Sequence, residues 1–126
     1  MKPYELINRW MQGVNEADVE LLSSLYDANA LLIPTFSNHM LKTPEQIRGY
    51  FERLASREGL SISLHEKLFT VQPINGSFYT MSGLYNWQFI VDDELLNFEA
   101  RFSYFIDAVN PRPILHHHSS QIPRMI

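Results

Sequence analysis

The sequence predicts an α+β fold in which three N-terminal helices pack on one face of a strongly curved, mostly antiparallel sheet. Three observations predict it. Apolar residues recur at helical spacing only in the first half of the chain. From Gly59 onward they alternate at period two. The alternating half is broken at Asp92-Asp93 and again at Asn110-Pro111, as a meander of strands requires.

The first helix is expected over 4–15, where Leu6, Ile7, Trp10, Met11 and Val14 form a stripe spaced by three and four. Pro3 precedes it, and Gly13 and Asn15 mark its end. A short second helix over 18–26 starts on Asp18 as N-cap and turns Val19, Leu22, Leu25 and Tyr26 inward. Asn29–Thr35, "NALLIPT", reads as a first strand closed by Pro34, and "SNH" as a turn. Thr43-Pro44-Glu45-Gln46 is a helix start with a cap, a proline at the first helical position and a capping-box glutamine. That third helix runs over 44–57 and carries Ile47, Tyr50, Phe51 and Leu54. After it Leu60, Ile62 and Leu64 alternate with polar residues, and the alternation slips at Glu66–Lys67 as at a bulge. Strands follow at about 77–91, 94–107 and 112–120, the first two joined by a tight hairpin at Asp92–Asp93.

The 126 residues support one domain with one core, taken as 1–126. Net charge is −4 and no basic run exists, so neither DNA nor RNA is an expected partner. Without cysteine there is no disulfide, no thiolate zinc and no thiol nucleophile. "MKPYELINRW" lacks the apolar centre of a signal peptide, and no stretch is long enough to span a membrane. No membrane partner and a cytoplasmic location are therefore expected.

The motif that asks for an explanation is "ILHHHSSQIP", Ile114 to Pro123. On a strand His116 and His118 share one face and His117 takes the other. With the hairpin at Asp92–Asp93, residues whose numbers add to about 185 face each other, and across the last turn those adding to about 219. One face then gathers Tyr79, Met81, Tyr85, Trp87, Phe89, Leu96, Phe98, Phe102, Tyr104, Leu115 and His117. The other gathers Phe78, Leu84, Ile90, Leu95, Phe105 and Ile114, together with Asn86, Gln88, Asn97, Glu99, Arg101, Ser103, His116, His118 and Ser120. In this register Arg101 faces His118, Ser103 faces His116, and Glu99 faces Ser120. A polar cluster in mid-strand needs water or partners, and a pocket between helices and sheet would supply both.

Three stretches carry a resemblance. "LLSSLYDANALLIPT", "IRGYFERL" and "EARFSYFID…ILHHHSSQIP" together resemble the nuclear transport factor 2-like superfamily, which includes SnoaL-like cyclases and ketosteroid isomerases. The chain is most similar there to the group of the calcium/calmodulin-dependent protein kinase II association domain. The resemblance covers nearly the whole chain. It implies a cone-shaped, cystatin-like fold with a pocket inside the curved sheet, and dimers or rings built through sheet faces. The pocket arginine of the association domains matches Arg101. Their pocket histidine falls at Ile47 and their pocket tyrosine near Leu22, so their ligand is not carried over.

The site expected from these readings comprises Arg101, His118, His116, Glu99, Ser103 and Asn86. Arg101 either meets an anionic or carboxylate-bearing ligand or forms an ion pair with Glu99 or Glu52. His118, oriented by Glu99, is the candidate general acid or base. His116 and His118 lack a third ligand beyond Glu99, so no metal and no cofactor are expected. His117 and the aromatic face, with Trp87, Phe98, Phe102 and Tyr104, are expected at a homodimer interface. Trp10 and Tyr26 are expected in the core or pocket wall, and His39 and His65 on the surface. Function is left between a small-molecule-binding domain, with cyclase, isomerase or hydrolase chemistry as one form of it, and an oligomerisation module without catalysis.

Overall fold

In the structure, a computed structural model that describes residues 1–123, the change of period becomes a change of layer. The helices are α1 (Pro3–Asn15), α2 (Val19–Ser24) and α3 (Pro44–Ala55). The strands are β1 (Tyr26–Ile33), β2 (Ser61–Leu64), β3 (Thr70–Asn75), β4 (Phe78–Val91), β5 (Glu94–Asp107) and β6 (Ile114–Gln121). All six strands belong to one sheet in the order β1-β6-β5-β4-β2, with β3 paired to the same edge of β4 as β2. β1 runs parallel to β6 and every other pairing is antiparallel.

Local chemistry accounts for the element ends. Pro3 and Pro44 occupy first-turn positions where no backbone donor is lost. Asp18 accepts from the Leu21 N–H at 3.0 Å, and Thr43 from the Gln46 N–H at 3.2 Å. Gln46 reaches back one residue further than a capping box would, accepting from the Lys42 N–H at 2.8 Å. Asp92 and Asp93 both take positive φ, 51° and 65°, as a two-residue hairpin turn of the primed kind demands. The β4–β5 register is the one predicted, with Leu84 opposite Arg101 and Asn86 opposite Glu99.

The slip at Glu66–Lys67 is a single 3₁₀ turn, Glu66–Leu68, rather than a bulge. It lifts the chain off one half of β4 and sets β3 down on the other half. Gly83 lies under the crossing. A Cβ there would stand 3.3 Å from the Leu68 carbonyl oxygen and 3.3 Å from the Phe102 ring, so a larger residue would push the crossing apart by a few tenths of an ångström. β3 itself was not expected. Its residues are mostly exposed and include Pro73, which an edge strand tolerates and a central one does not.

Two expectations about the sheet are corrected. The β5–β6 pairing lies two residues from the expected register, so Arg101 faces Ser120 and Ser103 faces His118. A shift of two keeps every side chain on its face. The irregularity between Phe105 and Ile106 also lets Ile114 turn into the core, where it is fully buried, instead of joining the polar face. The larger correction concerns which face the helices cover. They cover the aromatic one. Leu6, Ile7, Trp10, Met11 and Val14 of α1 and Ile47, Tyr50, Phe51 and Leu54 of α3 join Met81, Tyr85, Trp87, Phe102 and Tyr104 in one core. The face richest in aromatic area is the one whose removal from water stabilises most, so it takes the helices. Trp87, Phe102 and Tyr104 are thus buried within one chain, Phe98 packs against them, and none offers the interface expected of it.

No helix among the described residues is long and apolar enough to cross a membrane.

Candidate functional site

The helices place a polar chain inside the aromatic core. His117 is 2% exposed and projects from β6 towards α1. Its ring stacks on Tyr104 at 3.8 Å and meets Trp10 edge-on at 5.4 Å. The Nδ1 atom lies 2.8 Å from the Tyr26 hydroxyl and Nε2 lies 3.2 Å from the Tyr85 hydroxyl. Trp10 Nε1 donates to the Tyr26 oxygen at 3.0 Å. The hydroxyls of Ser119 and Thr35, which bond to each other, lie close to the Tyr85 hydroxyl. Burial explains why these groups need one another, since an unpaired polar group in such a core is costly. Burial also sets their charge state. It holds the His117 imidazolium well below the usual histidine range, and the neighbouring His116 and His118 push it the same way. It raises the phenols of Tyr26 and Tyr85. All are neutral at neutral pH.

Trp10, Tyr85, His117, Thr35, Ser119 and Trp87 border an inner cavity of about 10 Å³, room for one oxygen-sized group. Tyr50 borders it as well, and on its other side Tyr50 lines a wider mouth of about 400 Å³. The mouth lies between the end of α3 and the loop after β1, walled by Phe36, Tyr50, Leu54 and Phe89. The loop is tied down where Leu32 and Leu41 exchange both backbone hydrogen bonds, at 2.9 and 2.8 Å. Phe36 then inserts among Trp87, Phe89 and Phe98, with ring centroids 5.1–5.4 Å away. Arg53, Arg57 and His39 supply the polar rim. Arg57 lies over the Phe89 ring at 5.6 Å, and neither arginine makes an ion pair among the described residues.

The expected site is elsewhere. Arg101, Glu99, Ser103 and His118 are exposed, and Asn86 and His116 half-buried, on the outer face that no helix covers. Arg101, Ser103, His118 and Ser120 border an open recess of about 260 Å³. Exposed groups are open to solvent hydrogen bonds, so their density does not by itself require a shielded pocket. Glu52, offered as a partner for Arg101, pairs with Arg48 at 3.6 Å on the surface of α3, and Arg101 makes no ion pair among the described residues. Asn86 donates to Asn97 at 3.1 Å across the outer face. Sequence reasoning missed Arg53, Arg57, Phe36 and Tyr50 as a group. The available signal was a pair of arginines four apart, Arg53 in the last turn of α3 and Arg57 just past its end.

The fold and the enclosed polar core define a class of small cone-shaped α+β domains. Residues 4–125 match the SnoaL-like domain model, and the chain belongs to that family. Solved structures agree on the fold. One is a Xanthomonas campestris protein assigned to the calcium/calmodulin dependent protein kinase II association domains. It is 22% identical, with a TM-score of 0.85 over 97% of this chain and 86% of that one. A second comes from Streptomyces avermitilis and is assigned as a dehydratase of the nuclear transport factor 2-like family. It is 14% identical, with a TM-score of 0.79 over 96% and 94%. A third, a ketosteroid isomerase-like protein from Erwinia carotovora atroseptica, is 7% identical, with a TM-score of 0.79 over 96% and 94%. Comparison with curated protein sequences gives no match.

Proposed function

We propose that the chain binds a small carboxylate-bearing molecule in the mouth between α3 and the loop after β1. The observation that carries this is the pair Arg53 and Arg57. Both face an aromatic-walled cavity of about 400 Å³, and neither is engaged by a carboxylate of the described residues. Concave, largely apolar walls with a few convergent charges are the usual build of a small-molecule site. A guanidinium there offers paired hydrogen bonds to a carboxylate, and Phe36 and Phe89 offer ring faces to an aromatic body. The anionic ligand expected from Arg101 is thereby reassigned to two other arginines. Names such as dehydratase and ketosteroid isomerase-like belong to the neighbours. For this chain, the buried Tyr26–His117–Tyr85 chain is what supports proton chemistry beside such a ligand.

The test is calorimetry with 4-isopropylbenzoate. Binding by the wild type, weakened about threefold to tenfold by Arg53→Ala and by Arg57→Ala, is the expected result for exposed charge-assisted contacts. No binding, or binding unaffected by both substitutions, removes the reading.

Self-association is the second reading, and its place moves to the outer face. Phe78 and Phe105 stack there at 5.7 Å, with Phe78 37% exposed. Glu99 and Arg101 lie further along the same face of β5, and a second copy that covered that length would meet both charges with opposite ones. Sedimentation of the wild type and of Phe105→Glu checks it. A dimer that Phe105→Glu dissociates supports the reading, and a monomeric wild type ends it.

A further inference from the structure

The polar chain in the core has a direction, and the direction tells what its end can bind. An indole N–H only donates, so the Tyr26 oxygen accepts from Trp10 and its own hydrogen is left for His117 Nδ1. A neutral ring that accepts at Nδ1 carries its hydrogen on Nε2, and that hydrogen goes to the Tyr85 oxygen. Beyond Tyr85 lie the Ser119 and Thr35 hydroxyls, and one of those two donates to the other. Each link hands one hydrogen onward. The last hydroxyl keeps a hydrogen for which there is no further side-chain acceptor among the described residues. A second donor is available, because Trp87 borders the same inner cavity and its buried Nε1–H has no partner among the described residues.

We propose that the inner cavity is a subsite for an acceptor oxygen, the carbonyl of a ketone or aldehyde, held by the Ser119–Thr35 hydroxyl pair and Trp87 Nε1. The proposal rests on the mouth as the ligand's entry and deepens it. The ligand's carboxylate sits at Arg53 and Arg57, and its carbonyl points inward past Tyr50. Tyr50 is the partition, since it lines both spaces. Among the described residues its hydroxyl is held by the Phe36 N–H alone, at a long 3.4 Å, so turning the ring aside gives up one weak hydrogen bond and its edge contact with Phe51. A hydroxyl on the ligand would also fit the space. It would add a hydrogen, however, where the protein supplies donors, so a carbonyl is favoured over an alcohol of the same shape.

The test uses two isosteric pairs, 4-acetylbenzoate against 4-isopropylbenzoate, and acetophenone against isopropylbenzene, with affinities read by NMR titration. The acetyl member of each pair should bind about fivefold tighter, the worth of one neutral hydrogen bond. Ser119→Ala with Thr35→Val should erase the preference for the acetyl member of each pair. Trp87→Phe keeps the ring and removes the donor, and should reduce the preference even if the double variant folds poorly. If neither benzoate binds but acetophenone is preferred over isopropylbenzene, the arginine mouth is refuted while the subsite stands. No preference within either pair, or a preference that survives both sets of substitutions, overturns the subsite.

Discussion

Two neighbours on one strand, His117 and His118, share a residue type and differ in everything else. His117 is buried, neutral and hydrogen-bonded at both ring nitrogens. His118 is exposed beside Ser103 and Arg101 on the outer face. The difference extends to the two whole faces of the sheet. The inner face carries Tyr85, Trp87, Phe102 and Tyr104 under α1 and α3, and the outer face carries Asn86, Asn97, Glu99 and Arg101 under water. Polar density therefore does not mark enclosure. The few polar groups held inside the aromatic wall have a fixed geometry and a shifted titration because they are enclosed.

The largest expected break in this comparison is Trp10→Ala. It removes the ring stacked on Tyr85 at 5.5 Å and the donor to Tyr26, and should cost about 3–5 kcal/mol in urea denaturation. His117→Leu comes next, at about 2–4 kcal/mol, because it leaves two buried tyrosine hydroxyls without their partner. The pH dependence of stability is a finer probe. The folded His117 pKa lies below the unfolded value near 6.5, so the unfolded chain binds the extra proton first. Stability should be flat with respect to this group above about pH 7 and should fall by up to about 1.4 kcal/mol per unit as pH drops below 6.5 towards the folded pKa. The groups that face the ring are Tyr26, Tyr85 and Tyr104, with His116 and His118 beside it along the strand. His117→Gln should remove that slope, and an unchanged slope would assign it elsewhere. Smallest are His118→Ala and Arg101→Ala, each expected within about 0.5 kcal/mol of wild type.

Much of this was legible in the sequence, and the failures have physical causes. Helix starts at Asp18 and Thr43 and the hairpin at Asp92–Asp93 were readable because short-range chemistry decides them. The partition of residues between the two faces, Ile114 excepted, was readable because alternation survives a register shift of two. Which face lies inside was not decided by alternation. It follows from the area of Trp87, Tyr85 and Phe102 and from the stripe on α1, and weighing those areas would have reversed the expectation. β3 was hidden because an exposed edge strand has no apolar alternation to show. The arginine mouth was hidden because Arg53 and Arg57 meet Phe36 and Phe89 only after the loop folds back across α3.

The central claim is that ligand chemistry belongs to the enclosed face and enters beside α3. A ¹⁵N-labelled chain titrated with 4-isopropylbenzoate tests it most directly. Amide shifts clustered at Phe36, Ser37, Arg53, Arg57 and Phe89, with Arg101 and His118 unmoved, are the predicted result. Shifts clustered at Arg101, Ser103 and His118 on the outer face would contradict it.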